Sequence, residues 1–195
     1  ETWNGSSWTE VNNLNTARDQ VGSVGIVTAA LCVGGLNPGA LALNESWNGT
    51  SWTEVGDLNT ARYSLAAAGS TTAALAFGGA TPDKANTEEW NGASWTEVND
   101  LSTARSGLGG SGTTAAALAF GGNAPVTGGN VACSEEFNGS TWASGNSMIT
   151  SRYCLTAAGT QNSALGISGY RQLPSNTNTA TVEAYDGTSW STVAS

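Results

Sequence analysis

The residues whose spacing could do chemistry are repeated charges. Glu1, Glu45, Glu88, Glu135 and Glu183 each stand two positions before an aromatic residue, and Arg18, Arg62, Arg105 and Arg152 each close an L/M-x-T-x-R phrase. A ring of carboxylates could supply general acids and bases or hold a hard cation. Catalysis, however, needs one asymmetric site, and a repeat offers several equivalent ones. The pattern therefore reads as structural: Glu–Arg pairs, or carboxylates bonded to backbone, that tie the repeats together. Breaking such a pair one partner at a time should harm folding more than binding.

The rest of the composition narrows the chemistry further. The chain of 195 residues contains no His, which removes the usual general base, the commonest metal ligand and any Ser-His-Asp triad. It also leaves no base to activate a thiol. Cys32, Cys133 and Cys154 occupy no repeated position and form no CxxC, so they read as packing residues or free thiols, with a Cys133–Cys154 bridge as the alternative. The net charge of −9 disfavours a nucleic-acid groove and an anionic membrane surface, and no apolar run approaches the roughly 20 residues of a membrane span. No cofactor and no metal are expected. With neither an initiator Met nor a signal-peptide pattern, the chain is expected to be a processed product or an excerpt.

These residues must be positioned by a repeated element. "WNGSSWTEV" at 3–11 recurs at 47, 90, 137 and 185, giving the aromatic pairs Trp3/Trp8, Trp47/Trp52, Trp90/Trp95, Phe137/Trp142 and Tyr185/Trp190. The spacings are 44, 43, 47 and 48 residues. A small-residue pair closes a run in each unit: "LCVGG", "LAFGG", "LAFGG" and "LGISG". Each unit reads as four strands. In residues 62–98 these are A, "RYSLAAAG"; B, "TAALAFGG", with Leu75 and Phe77 on one face and Ala74 and Ala76 on the other; C, "TEEW"; and D, "WTEV". The four-residue loop "NGAS" sets Trp90 opposite Trp95, and Asn-Gly supplies its positive-φ positions.

Such units suit the blades of a β-propeller, with small Ala faces near a central channel and Trp side chains filling the space between blades. The order "LNTAR", apolar strand, "GG", "EEW" and a final Trp resembles the kelch repeat, over residues 58–98 and four times along the chain. The departures are "SG" for "GG" in the last unit and Phe137 or Tyr185 for Trp. The expected fold is all-β: four full four-stranded kelch-like blades plus one extra N-terminal hairpin, about five blades in a single domain spanning 1–195. The units are 1–11 (half a blade), 12–55, 56–98, 99–145 and 146–195. Five C–D hairpins against four A–B pairs leave one blade incomplete. Either the polypeptide belongs to a larger propeller, or a neighbouring molecule completes the blade, or that blade stays two-stranded.

Other motifs have structural readings. The Gly-Gly pairs precede no helix, so they mark a bend or close backbone approach rather than a phosphate site. "YDGTSW" is similar to the Asp box of sialidase-type propellers but lacks its spacing. Asn4, Asn44, Asn48 and Asn138 lie in N-x-S/T sequons, three of them in the repeated turn. Kelch-type copper radical oxidases need His on copper, which this chain cannot supply. Binding is expected instead in the B–C loops at 36–43, 80–86, 123–132 and 170–181, which vary while the strands do not. Tyr170, Arg171 and Gln172 form an aromatic-plus-donor set in the last loop, and Asp83 and Lys84 stand in the second. The resemblance to kelch-like arrays of bacteriophage virion and bacterial surface proteins implies a non-catalytic, extracellular or virion-surface module for attachment or decoration, meeting a glycan or protein surface. Its partners would include no nucleic acid and no membrane interior, and a homo-oligomer or neighbouring chain is one of the ways to complete the open blade. The alternatives are an intracellular kelch adaptor and, third, an enzyme whose site spans blades.

Overall fold

A computed structural model describes residues 1–125, 128–171 and 177–193. The chain opens with a hairpin of β1 (Thr2–Trp3) and β2 (Trp8–Thr9). Blade one is β3 (Gly22–Ile26), β4 (Ala29–Val33), β5 (Asn44–Trp47) and β6 (Trp52–Val55); blade two is β7 (Ala66–Gly69), β8 (Ala74–Phe77), β9 (Thr87–Trp90) and β10 (Trp95–Val98). Blade three begins with β11 (Gly109–Thr113) and β12 (Ala116–Phe120); the short pair β13 (Asn123–Ala124) and β14 (Gly129–Asn130) follows, and β15 (Ser134–Phe137) and β16 (Trp142–Gly145) complete the blade. Blade four has β17 (Thr156–Thr160) and β18 (Ser163–Ile167), the short pair β19 (Tyr170–Arg171) and β20 (Thr177–Asn178), then β21 (Val182–Tyr185) and β22 (Trp190–Thr192). Each blade is a four-stranded antiparallel meander, and the four sheets are arranged as a β-propeller.

The C–D hairpins follow from their sequence. Asn48 Oδ1 accepts from the N–H groups of Thr50 and Ser51 at 2.9 Å each, and Gly49 takes φ +92°. Only the glycine is left-handed; the asparagine acts through its side chain, as short polar residues do in turns. Asp186 makes the same contacts in the last blade. This loop sets Trp47 opposite Trp52 and Trp90 opposite Trp95. Asn4, Asn48 and Asn138 are thereby committed to turn geometry, and Asn44 is buried on β5.

Strands A and B are shorter than the sequence suggests. Strand A of blade two starts at Ala66 rather than Arg62, because Ser64 has φ +52° and interrupts the extended chain. Strand B ends at Phe77, since Gly78 and Gly79 leave the β region at φ +67° and +114°.

The core lies between blades, one cluster per interface. On β8, Leu75 and Phe77 face blade three, where they meet Ala117, Ala119 and Phe137. Ala74 and Ala76 face blade one and meet Leu31 and Val33. The strand-D tryptophan of each later blade packs on the strand-B phenylalanine before it: Trp142 on Phe77 at 5.0 Å and Trp190 on Phe120 at 4.8 Å. Such ring pairs add about 0.5–1.5 kcal/mol beyond area burial.

The inner strands pack in sequence, β3 on β7, β7 on β11 and β11 on β17, whereas β3 and β17 make no contact of that extent. The arc therefore has two ends. Leu31, Leu75 and Leu118 are at most 1% exposed, while Leu165, in the same position of the last blade, is 38% exposed.

Candidate functional site

The repeated charges form one module, built four times. The connector before strand A carries L/M-x-T-x-R, and its arginine turns inward to the strand-C glutamate of the same blade. Arg62 meets Glu88 at 3.2 Å, Arg105 meets Glu135 at 3.0 Å, Arg152 meets Glu183 at 2.8 Å, and Arg18 meets Glu45. The same carboxylates accept connector N–H groups: Glu88 from Asn59 at 2.7 Å, Glu135 from Ser102 at 2.7 Å and Glu183 from Ile149 at 2.7 Å. Burial alone would raise the Glu45 carboxyl, but the bonds from Arg18, Asn15 and Thr16 outweigh it and hold it below its ordinary value. Burial lowers Arg62 and Arg152, opposed by the glutamate beside each.

The ion pairs were expected to tie blades together, but they close within a blade. The tie between blades is backbone, made by the same arginine. Its carbonyl accepts the second Gly-Gly N–H of the preceding blade: Gly35 to Arg62 at 3.0 Å, Gly79 to Arg105 at 2.9 Å and Gly122 to Arg152 at 2.9 Å. The first glycine has no room for a side chain there. A Cβ on Gly34 would lie 2.6 Å from the Arg62 carbonyl oxygen. A second backbone chain runs around the axis, with Ser64 N–H to Gln20, Gly107 N–H to Ser64 and Cys154 N–H to Gly107 at 2.7–2.8 Å. Glu1 is the exception among the repeated glutamates: it is exposed and makes no ion pair among the described residues.

Cys32, Cys133 and Cys154 are free thiols. Burial raises Cys32 most, despite the neighbouring Arg18. Cys133 Sγ accepts from Arg105 Nη1, so it serves the structural module.

Of the proposed binding residues, Tyr170 is held by two backbone bonds to Tyr153, 3.1 and 2.8 Å, and their rings meet edge to face at 5.4 Å. Arg171 follows on β19 and pairs in register with Thr177. Gln172 lies outside the described residues. Asp83 and Lys84 belong to blade two, where the Lys84 backbone bonds Gly79 and Arg105. No hydrogen bond or ion pair joins them to Tyr170 or Arg171 among the described residues, so the structure does not gather the two sets into one cluster.

One cavity was not singled out from the sequence. It holds about 800 Å³ between the N-terminal hairpin and the front of blade one, bordered by Glu1, Glu10 and Val11 on one side and Leu14, Ala30, Trp47 and Trp52 on the other. The excess of C–D hairpins over A–B pairs was its only sequence signal. A smaller hollow of about 320 Å³ lies on the exposed outer face of blade four around Leu165.

No protein-family model and no curated protein matches the chain. Fold and module together define a β-propeller of four blades with an additional N-terminal hairpin.

Proposed function

We propose that this chain is a non-catalytic, kelch-like propeller that presents its variable B–C loops to a polar partner, a glycan or protein surface. One observation carries the reading. The repeated ionisable residues in blades one to four are spent on bonds that hold connectors and blades, and the residues that differ between units sit in loops on the connector face. A rigid scaffold with variable loops is the usual arrangement for recognition. Tyr170 and Arg171 are the leading contacts, since the Tyr170 backbone is anchored to Tyr153 and Arg171 pairs with Thr177, while both side chains are only half-buried. Aromatic and guanidinium groups suit stacking and hydrogen bonding to sugars or polar protein surface. The low-charge, nearly identical units support an extracellular or virion-surface setting, in attachment or decoration.

Glycan-array binding by the purified chain tests this. Binding should fall at least about tenfold in Tyr170→Ala and in Arg171→Ala, the loss of about 1.4 kcal/mol or more. Binding unchanged in both variants would overturn the loop assignment, and turnover of any substrate in a hydrolase or oxidase panel would overturn the non-catalytic one.

A further inference from the structure

Four of the five C–D hairpins turn on Asn-Gly, at Asn4, Asn48, Asn91 and Asn138, and the fifth turns on Asp-Gly, at Asp186. All five share one geometry. Oδ1 of each asparagine accepts from the N–H groups two and three residues on, at 2.9 Å each, and Asp186 Oδ1 does the same at 2.8 and 2.7 Å. The residue's own N–H donates to the carbonyl three residues on, at 3.2–3.3 Å in every copy. The glycine that follows has φ between +89° and +97° throughout. Blade four therefore carries, as its own residue, the carboxylate form of a turn that the other hairpins carry as the amide.

Three features make the amide form reactive. The four asparagines are exposed, so water and hydroxide reach them. The N–H groups of Gly5, Gly49, Gly92 and Gly139 make no hydrogen bond among the described residues, and glycine has no side chain to hinder its nitrogen as it approaches the preceding Cγ. The two N–H groups on Oδ1 polarise the side-chain carbonyl. They also stand where negative charge develops when a nucleophile adds to Cγ, which is the arrangement of an oxyanion hole. Other exposed asparagines lack this set. Asn99 and Asn146 precede Asp100 and Ser147, and each spends its Nδ2 on a hairpin carbonyl, that of Ser140 at 2.8 Å and that of Thr188 at 2.6 Å.

We infer that Asn4, Asn48, Asn91 and Asn138 are modification sites at which the amide converts spontaneously to aspartate, with water as the co-reactant. The glycine nitrogen bonds to Cγ and gives its proton to hydroxide. Nδ2 takes up a proton and leaves as ammonia, and water then opens the cyclic imide. The fold is already fitted to the product, since Asp186 occupies the same turn. A carboxylate accepts N–H bonds more strongly than an amide oxygen does, and the bonds from Ser189 and Thr188 hold the Asp186 carboxyl below its ordinary value. Each conversion adds one negative charge to a chain of net charge −9 and leaves pairings such as Trp47 with Trp52 in place. The same two N–H groups direct water to Cγ, which restores the normal main chain. Opening at the main-chain carbonyl would give isoaspartate and put an additional carbon into the loop. These turns are separate from the loop contacts proposed above, and neither reading depends on the other.

The test holds the 195-residue chain at mildly alkaline pH and follows it by peptide mapping and mass spectrometry. A gain of about one dalton is expected at each of the four asparagines, at least about tenfold faster than at Asn99 and Asn146. The ratio of aspartate to isoaspartate should be higher in the folded chain than in the same chain unfolded in urea. A variant combining Asn4→Asp, Asn48→Asp, Asn91→Asp and Asn138→Asp should keep the parent's circular dichroism and unfold at no lower urea concentration. Conversion no faster than at Asn99 and Asn146 overturns the proposal. Equal product ratios in the folded and unfolded chains would overturn the part given to the turn, and a lowered urea midpoint in the variant would overturn the fit of the product.

Discussion

Arg62 and Glu88 lie 3.2 Å apart inside blade two, and neither side chain is exposed to solvent. The pair pins the connector to its own blade, and the Arg62 carbonyl then receives Gly35 from the blade before. One residue thus serves two blades, with its side chain committed to one and its backbone to the other. Removing Glu88 leaves a buried guanidinium with its desolvation uncompensated. Glu88→Ala should cost about 3–5 kcal/mol. Urea denaturation of Glu88→Ala, Arg62→Met and the double variant checks this, and the double should cost less than the sum of the singles. Additive losses would refute the coupling.

The Gly-Gly step should tolerate a side chain only where no connector packs against it among the described residues. A Cβ on Gly78 would lie 2.8 Å from both the Arg105 carbonyl oxygen and Leu108 Cδ2. Gly78→Ala should lose about 1–3 kcal/mol through overpacking. Ser168 occupies the same step in blade four at φ +58°. Ser168→Gly should stay within about 0.5 kcal/mol of the parent. Equal losses at the two positions in urea melts would show that the neighbouring blade is not the cause.

Acid should weaken blade one through Glu45. Its carboxyl is held below the ordinary value of 4.5 in the folded chain. A depressed folded value means that the carboxylate's stabilisation is complete above pH 4.5 and is lost as pH falls through the lower folded value. Melting temperature followed from neutral to acid pH should fall in this window. Glu45→Gln should flatten that part of the profile, and an unchanged slope would contradict the assignment.

Alkali should act through Tyr185. Burial raises its hydroxyl above the ordinary 10.0, and the hydrogen bond it donates to Glu136 and the charges of Glu136 and Asp186 raise it further. A raised folded value means that this stabilisation is complete below pH 10.0 and is lost as pH rises through the folded value. Ultraviolet titration should show a tyrosine that ionises only as the chain unfolds, and Tyr185→Phe should remove that component.

Much of the blade was legible because its determinants are local. Alternating Leu/Phe and Ala assigned the two faces of β8, and the Asn-Gly loop fixed the Trp90/Trp95 register, since side-chain period and turn length act within a few residues. The Glu–Arg pairing was also legible, because both residues repeat in phase. Their destination was not. Whether Arg62 reaches its own blade or the neighbouring one depends on how the connector bends at Ser64, a residue that enters the left-handed region without glycine to announce it. The separation of Asp83 and Lys84 from Tyr170 and Arg171 was hidden for the same reason, since loops of different blades are placed by packing rather than by sequence distance.

The sequence by itself determined the unit, its four strands, its turns and its structural charges. Tertiary structure alone decided which bonds cross between blades and where they stop. Leu14 and Arg18 look like their counterparts in sequence. Only the packing of whole blades shows that Leu14 and Arg18 line a cavity while Leu58 and Arg62 are buried, because a residue's surroundings are set by what the fold brings beside it.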